Sequence, residues 1–315
     1  MYYLGIDLGG INIAAAVVDE AGKILGRYSR PTPKAPAVQV ADEMARAARA
    51  AVEQAGLTLE QIASLGVGSP GAIDPTEGTV LYWCNLDFEH VPLGKLLEDR
   101  LRLPVYLEND ANAAALGEYA AGAGKDSTSM VAITLGTGIG GGAVLNGKLY
   151  TGFNYAGMEV GHFVLEYHGR PCNCGRRGCF EAYCSATALI RQTRAAMEAH
   201  PDSLLWTAAG SLDAVEGRTA FAAQAQGDPA ARSVVEEYQQ YLACGIASLI
   251  NIFQPEVFCV GGGVANAGET LLAPVRAMVA QEDYARNNPR QTRIVRAALG
   301  NDAGLIGAAL LPVFR

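Results

Sequence analysis

Over the first thirty residues the apolar positions fall in short runs, broken by glycine, that do not last long enough for helices. Residues 2–7, 13–19 and 23–30 therefore predict three strands, with tight turns at Leu8-Gly9-Gly10 and Glu20-Ala21-Gly22. Turns this short make the three an antiparallel meander. From residue 38 to 55 the spacing becomes helical; a strand at 64–69, a helix at 93–101 and a strand at 105–108 follow. An Ala-rich helix is predicted over 110–121, with Asp110 as its N-cap.

The pattern then restarts. Residues 130–135, 141–145 and 148–150 again give strand, glycine turn, strand, strand. Leu135-Gly136-Thr137-Gly138-Ile139-Gly140-Gly141-Gly142 stands where Asp7-Leu8-Gly9-Gly10-Ile11-Asn12 stood in the first half, so two similar α/β halves are implied. Helical spacing covers 181–200 and 230–253. After it come a strand at 256–260, the turn Gly261-Gly262-Gly263, a helix at 267–280, a strand at 293–297 and a last helix at 304–311. Residues 209–228 have the weakest periodicity and predict a loop-rich connection.

At 315 residues, half of them apolar, the chain can bury two cores. No apolar run approaches the roughly 20 residues of a membrane span, and the chain enters its first strand without a signal-like leader, which points to the cytoplasm. A net charge of −8 disfavours nucleic acid and anionic membranes as partners, so phosphate binding would fall to backbone and metal.

Glycine turns between strands let backbone N–H groups approach an anion, because no Cβ intervenes and positive φ costs little. Gly9, Gly10 and Asn12 in the first turn and Gly136, Thr137 and Gly138 in the second are candidate nucleotide contacts, with Gly261, Gly262 and Gly263 placed to pass close to an adenosine. Asp7, at the end of the first strand, can hold Mg²⁺ or a metal-bound water beside the phosphates. Neither a P-loop nor a dinucleotide fingerprint is present. Asn109-Asp110 sits at a strand end, where a carboxylate could take the proton of an attacking hydroxyl, and Asp110 is the candidate base. The turn Ser69-Pro70-Gly71, also at a strand end, allows a backbone contact to a ligand from Gly71.

His162, Cys172, Cys174 and Cys179 form the sharpest local pattern. Three thiols within eight residues of a Gly/Arg loop, preceded by a histidine, can close a tetrahedral Zn²⁺ site, and four protein ligands make it structural. Seven cysteines are present; Cys84, Cys184, Cys244 and Cys259 read as reduced thiols rather than a disulfide framework. Glu159, His162 and Glu181 bracket the loop and would converge on one cleft if a metal holds it closed.

Asp7-Leu8-Gly9-Gly10, Asn109-Asp110, Leu135-Gly136-Thr137-Gly138, Glu159-x-Gly161-His162, Cys172-x-Cys174-Gly175-x-x-Gly178-Cys179-x-Glu181 and Gly261-Gly262-Gly263 follow the order found in the ROK family of sugar kinases and repressors. The chain resembles that family along its whole length, and its bacterial glucokinases most. The resemblance implies an α/β, actin-like ATPase (ribonuclease H-like) fold of two domains, each with a mixed five-stranded sheet flanked by helices. The small domain would be 1–118 with a returning helix at 303–315, and the large one 119–302. It further implies ATP with Mg²⁺, structural Zn²⁺, a homodimer and a hexose substrate, glucose first and an N-acetylhexosamine or another hexose second. Asp110 would be the base on the sugar 6-hydroxyl, with Gly71, Asn109, Glu159, His162 and Glu181 binding the sugar. A repressor of the family would carry a helix-turn-helix ahead of the first glycine loop, whereas the first predicted strand here begins at Tyr2. One departure from the family's pattern stands out: relatives usually carry Thr, sometimes Ser, after the paired glycines, and this chain has Ile11, which lacks a hydroxyl donor and leaves a weakened, merely sugar-binding protein as a further alternative.

Overall fold

The computed structural model describes residues 1–83 and 86–314, so Cys84 lies outside the described residues. Contacts divide the chain into two units, Met1–Val131 with Gly142–Met158 and Ala298–Arg315, and Ala132–Gly141 with Glu159–Ala297.

In the first unit the predicted meander is present as β1 (Tyr2–Leu8), β2 (Asn12–Asp19) and β3 (Ile24–Pro31), paired antiparallel. Next come α1 (Ala37–Gln54) and β4 (Ile62–Ser69). A small antiparallel sheet of β5 (Ala72–Asp74), β6 (Thr79–Trp83) and β7 (Phe88–Val91) was not expected from the sequence pattern. Its strands are too short, and too interrupted by turns, for alternation to show. Then follow α2 (Leu93–Leu101), β8 (Val105–Asn109) and α3 (Asp110–Ala121). The main sheet runs β3-β2-β1-β4-β8, and β1, β4 and β8 are parallel with Asp7 beside Gly68 and Ser69 beside Asn109. Parallel register thus delivers Asp7 and the Asn109-Asp110 pair to the C-terminal ends of the parallel strands. On one face, Val40, Met44, Ala48 and Ala51 of α1 pack against Leu4, Ile6 and Val67 in the larger core cluster.

The repeat of the pattern is also present, as β9 (Ser129–Leu135), β10 (Ile139–Leu145) and β11 (Lys148–Tyr150). The helical stretch expected over 181–200 is two helices, α4 (Glu181–Cys184) and α5 (Ala186–Ala199). Ser185 separates them in an extended conformation, and its hydroxyl caps α5 by accepting the Ala188 N–H at 3.1 Å. Beyond α6 (Leu205–Ala209), the stretch read as a loop contains α7 (Thr219–Ala225). This Ala/Gln-rich helix of two turns is too short to register a period. The long α8 (Pro229–Phe253) has Asp228 as N-cap and Pro229 in its first turn. β12 (Val257–Gly261), α9 (Glu269–Glu282) and β13 (Arg293–Arg296) complete the second sheet, ordered β11-β10-β9-β12-β13. A 3-10 turn over Gly263–Ala267 precedes α9, which starts later than periodicity suggested. The α/β class and the two five-stranded mixed sheets match expectation. Among the described residues no helix is long and apolar enough to cross a membrane.

The last helix, α10 (Ala303–Leu310), belongs to the first unit and covers the face of its sheet opposite α1. Leu305, Ile306, Ala309 and Leu310 pack on Tyr3, Ala16 and Val18. The chain enters this helix through a carboxylate clasp: buried Glu118 accepts the N–H groups of Ala298 at 3.0 Å, Leu299 at 2.7 Å and Ala123 at 2.9 Å. Helices α10 and α3 touch at backbone distance, where a Cβ at Gly307 would land on the Ala113 carbonyl and one at Gly117 on the Ala303 carbonyl. In an isolated helix Gly→Ala gains about 1 kcal/mol. Here the added methyl has nowhere to go, and overpacking costs about 1–3 kcal/mol or more. Gly307→Ala should therefore lower the midpoint of chemical unfolding; a raised midpoint would mean that α10 is free to shift.

Candidate active site and metal cluster

Asp7 is the penultimate residue of β1, and the turn after it is pinned from outside. Gly9 N–H donates to the Asn12 carbonyl at 2.9 Å, Thr32 Oγ1 donates to the Gly9 carbonyl at 2.6 Å, and Thr32 N–H donates to the Ile11 carbonyl at 2.8 Å. Thr32 carries no local signal, because it acts from the far end of β3. Gly10 and Asn12 are exposed on this turn, and the Ile11 side chain is 80 % exposed, touching no core. The first turn of α10 lies beside Asp7, since a Cβ at Gly304 would sit 3.3 Å from its Oδ2.

The N-cap of α3 is Asn109, not Asp110 as its sequence suggests. Asn109 Oδ1 accepts the N–H groups of Ala111 at 2.9 Å and Asn112 at 3.3 Å, and its Nδ2 reaches the Gly71 carbonyl at 3.4 Å. Gly71 has φ +94° and lies against the Tyr82 carbonyl, which excludes any side chain there. Asp110 occupies the first helical position, with Oδ1 accepting the Ala111 N–H at 2.9 Å. Behind them the buried Glu108 accepts Asn109 N–H at 2.9 Å and Asn112 Nδ2 at 3.0 Å, fixing the strand-to-helix corner. Burial raises the Asp110 carboxyl above the ordinary carboxylate range, against the opposing pull of the Ala111 N–H. Asp7 is pushed up to about 6, first by burial and second by the negative charge of Asp110.

In the second unit the other two glycine turns meet. Gly262 has φ +85° and its Cα faces the Leu135 backbone, so the third turn backs directly onto the second, while Gly263 faces open space. The second turn is closed by Gly136 N–H donating to the Gly138 carbonyl at 3.0 Å. Glu181 stands under it, its Oε2 accepting the Ile139 N–H at 2.9 Å. Thr187 Oγ1 donates to the Thr137 carbonyl at 2.8 Å, a contact that sequence spacing does not reveal. Glu159 is exposed and heads the short 3-10 turn Val160–His162, with its carbonyl accepting the His162 N–H at 3.0 Å.

The ligand atoms of His162, Cys172, Cys174 and Cys179 all lie within 4.8 Å of one another. Cys172 Sγ is 3.7 Å from His162 Nδ1 and Cys174 Sγ is 3.7 Å from Cys179 Sγ. Tetrahedral zinc, with bonds of about 2.3 Å to sulfur and 2.0–2.1 Å to nitrogen, spaces its ligands by roughly 3.5–3.8 Å, so the donor set fits that ion. Burial, then the neighbouring thiols, push the Cys179 thiol up to about 12, while backbone hydrogen bonding at Arg176 lowers Cys174. A cation beside Cys179 is what would ionise it. The loop is supported by Tyr183, whose hydroxyl accepts Arg170 N–H at 2.8 Å and donates to Glu166 at 2.7 Å.

The raised Asp7 has a consequence for stability. Its proton is held more tightly in the folded chain, so its favourable contribution is complete below the unfolded value of 3.8 and is lost as pH rises through about 6. At neutral pH the ionised group is a net cost of up to about 3 kcal/mol. Without nucleotide or metal, Asp7→Asn should be more stable than wild type in urea at pH 7.5, and the gain should shrink towards pH 4. An equal difference at both pH values would contradict the burial of Asp7.

Residues 3–313 match the sequence profile of the ROK family. The glucokinase of Thermotoga maritima is 41% identical over 308 residues, covering 97% of this chain and 95% of its own. The N-acetylmannosamine kinase of Shigella boydii is 37% identical over 315 residues, covering 99% of this chain and 98% of its own. Among solved structures, a ROK family glucokinase from Streptomyces griseus in complex with glucose and AMPPNP superposes with a TM-score of 0.82 at 38% identity, covering 99% of both chains. With the glycine turns, the strand-end carboxylates and the thiol cluster all in the family's order, and sheets of the actin-like ATPase fold to carry them, the chain belongs to the ROK family.

Proposed function

We propose that the protein is an ATP-dependent glucokinase that transfers the γ-phosphoryl group of ATP to the 6-hydroxyl of glucose. Likeness over nearly the full length to glucokinases, one of them bound to glucose and AMPPNP, supports the substrate pair. The observation that carries the chemistry is the Asp110 carboxylate at the head of α3, with Oδ1 held by its own helix. Oδ2 is the proton acceptor. As O6 of the sugar forms its bond to γ-phosphorus and the bond from that phosphorus to the β-phosphate bridging oxygen breaks, the O6 proton passes to Asp110 and ADP leaves. A raised carboxyl is the better base for this task, provided that it is ionised at working pH.

Asn109, Gly71, Glu159, His162 and Glu181 bind sugar hydroxyls in this account. Gly9, Gly10, Asn12, Gly136, Thr137, Gly138 and Gly261, Gly262 and Gly263 contact the nucleotide. Asp7 is the residue to hold Mg²⁺ or its water, and the metal, when bound with ATP, neutralises charge on the transferring phosphoryl group. Zinc at His162, Cys172, Cys174 and Cys179 is structural, since four protein ligands leave no open position. The N-acetylmannosamine kinase likeness, spanning as much of the chain, supports a second reading in which the acceptor is an N-acetylhexosamine.

A coupled ADP-release assay over hexoses and N-acetylhexosamines should give the highest kcat/KM with glucose. ADP release with none of them, on folded protein containing zinc, would overturn the kinase assignment. Asp110→Asn should lower kcat by about 10²- to 10⁴-fold with little change in glucose affinity; wild-type kcat would reduce Asp110 to a helix residue.

Ile11 offers the transferring phosphoryl only its backbone N–H. A missing hydroxyl donor to a charged group is worth about 1.5–3 kcal/mol, or roughly ten- to a hundredfold in rate if it acts in the transition state alone. Because the side chain is 80 % exposed, Ile11→Thr changes the turn without touching the core. It should raise kcat and leave the glucose KM nearly unchanged; an unchanged or lower kcat would show that the loop is organised around Ile11 and that its backbone N–H groups and Asn12 already suffice.

A further inference from the structure

The second glycine turn does not hold its shape alone. Three of its backbone groups are engaged by one short segment that begins at a thiol of the metal cluster. Ala186 N–H donates to the Gly136 carbonyl at 2.8 Å, Thr187 Oγ1 donates to the Thr137 carbonyl at 2.8 Å, and Glu181 Oε2 accepts the Ile139 N–H at 2.9 Å. In a trans peptide the carbonyl and the N–H point in opposite directions. Fixing the Gly136 and Thr137 carbonyls against this segment therefore turns the Thr137 and Gly138 N–H groups to the opposite side, where successive amides make an anion-binding concavity.

The segment is itself tied at its start. Cys179 pairs with Val164 in an isolated bridge, Phe180 N–H donates to the Phe163 carbonyl at 2.9 Å, and the Cys179 carbonyl accepts the Ala182 N–H at 2.9 Å. Cys179 is a member of the four-ligand cluster, and the Cys172 thiol of the same cluster lies 3.8 Å from Glu181 Oε1. A continuous run of contacts thus joins the cluster to the carbonyl anchors of the turn within a few residues.

We propose that residues 179–187 brace the second phosphate turn, with Thr187 and Glu181 as positioning residues, so that nucleotide affinity depends on the metal cluster as well as on the glycines. The proposal rests on the kinase function above, in that it takes the turn's ligand to be the phosphates of ATP. It extends the role of the thiol loop from the sugar side to the nucleotide side.

Thr187 is exposed, so substitutions there leave the core intact. Calorimetric titration of the zinc-containing protein with AMPPNP and, separately, with glucose should show Thr187→Val weakening AMPPNP about two- to tenfold, the range of one hydrogen bond. Thr187→Ser should restore it, and glucose affinity should stay unchanged in both. Hydrogen exchange of residues 136–139, measured without any ligand, should quicken in Thr187→Val and again after metal removal by a chelator, which should also weaken AMPPNP. Equal AMPPNP affinity in wild type and Thr187→Val, equal weakening by Val and Ser, or a parallel loss of glucose affinity would overturn the brace. If wild type itself fails to bind AMPPNP, the kinase function falls, and the exchange comparison still decides the brace: unchanged protection of 136–139 would overturn it.

Discussion

Two carboxylates at the C-terminal ends of the parallel strands of one mixed sheet are the constraint around which the first unit is built. The register of β1, β4 and β8 brings Asp7 and Asp110 near enough for the charge of Asp110 to raise Asp7, and partial burial weakens the screening by water. Nothing in folding requires this arrangement, which costs stability at neutral pH. The surrounding sequence accommodates it. Glycines at the α3–α10 contact let the last helix approach closely enough for its first turn to lie beside Asp7, where the positive end of a helix favours an anion. Burial still outweighs that help, since Asp7 remains raised. Such cost is expected where a carboxylate must be kept ready to meet a cation or take a proton.

The second unit meets a different difficulty. From Glu166 to Arg177 the chain has turns and mostly polar or charged side chains, none of them buried, so hydrophobic contact alone does not hold it. A metal at the four-residue cluster would supply the missing constraint, and Tyr183, Arg170 and Glu237 add a polar buttress: Arg170 lies 4.7 Å from the Tyr183 ring and pairs with Glu237 at 2.6 Å.

Much of this was legible because the chemistry is local. Glycine turns after strands, an Asn-Asp pair at a strand end and thiols spaced around a turn are short-range patterns, and the structure brings the four candidate ligands together as the spacing implied. What could not be read depends on partners distant in sequence or on elements too short to show a period. Thr32 and Thr187 look like ordinary threonines until the fold sets them against glycine turns 23 and 50 residues away. The break at Ser185 hides within continuous helical spacing, because a serine hydroxyl serves a helix start as readily as it sits in a helix. Assigning the cap of α3 to Asp110 instead of Asn109 was a choice between two good capping residues that only backbone conformation decides: Asn109 is extended at φ −62°, ψ 145°. That one-residue difference gives the cap to Asn109 and puts Asp110, the base of the proposed reaction, at the first helical position.

The coupling of Asp7 and Asp110 is the claim on which the account of the active site stands, and a carbon-13 NMR titration of the Asp7 side-chain carboxyl measures it directly. In metal- and nucleotide-free wild type the midpoint should lie near 6, and in Asp110→Asn it should fall while staying above 3.8, because burial persists when the neighbouring charge is gone. A wild-type midpoint near 3.8, or one that Asp110→Asn leaves unmoved, would contradict it.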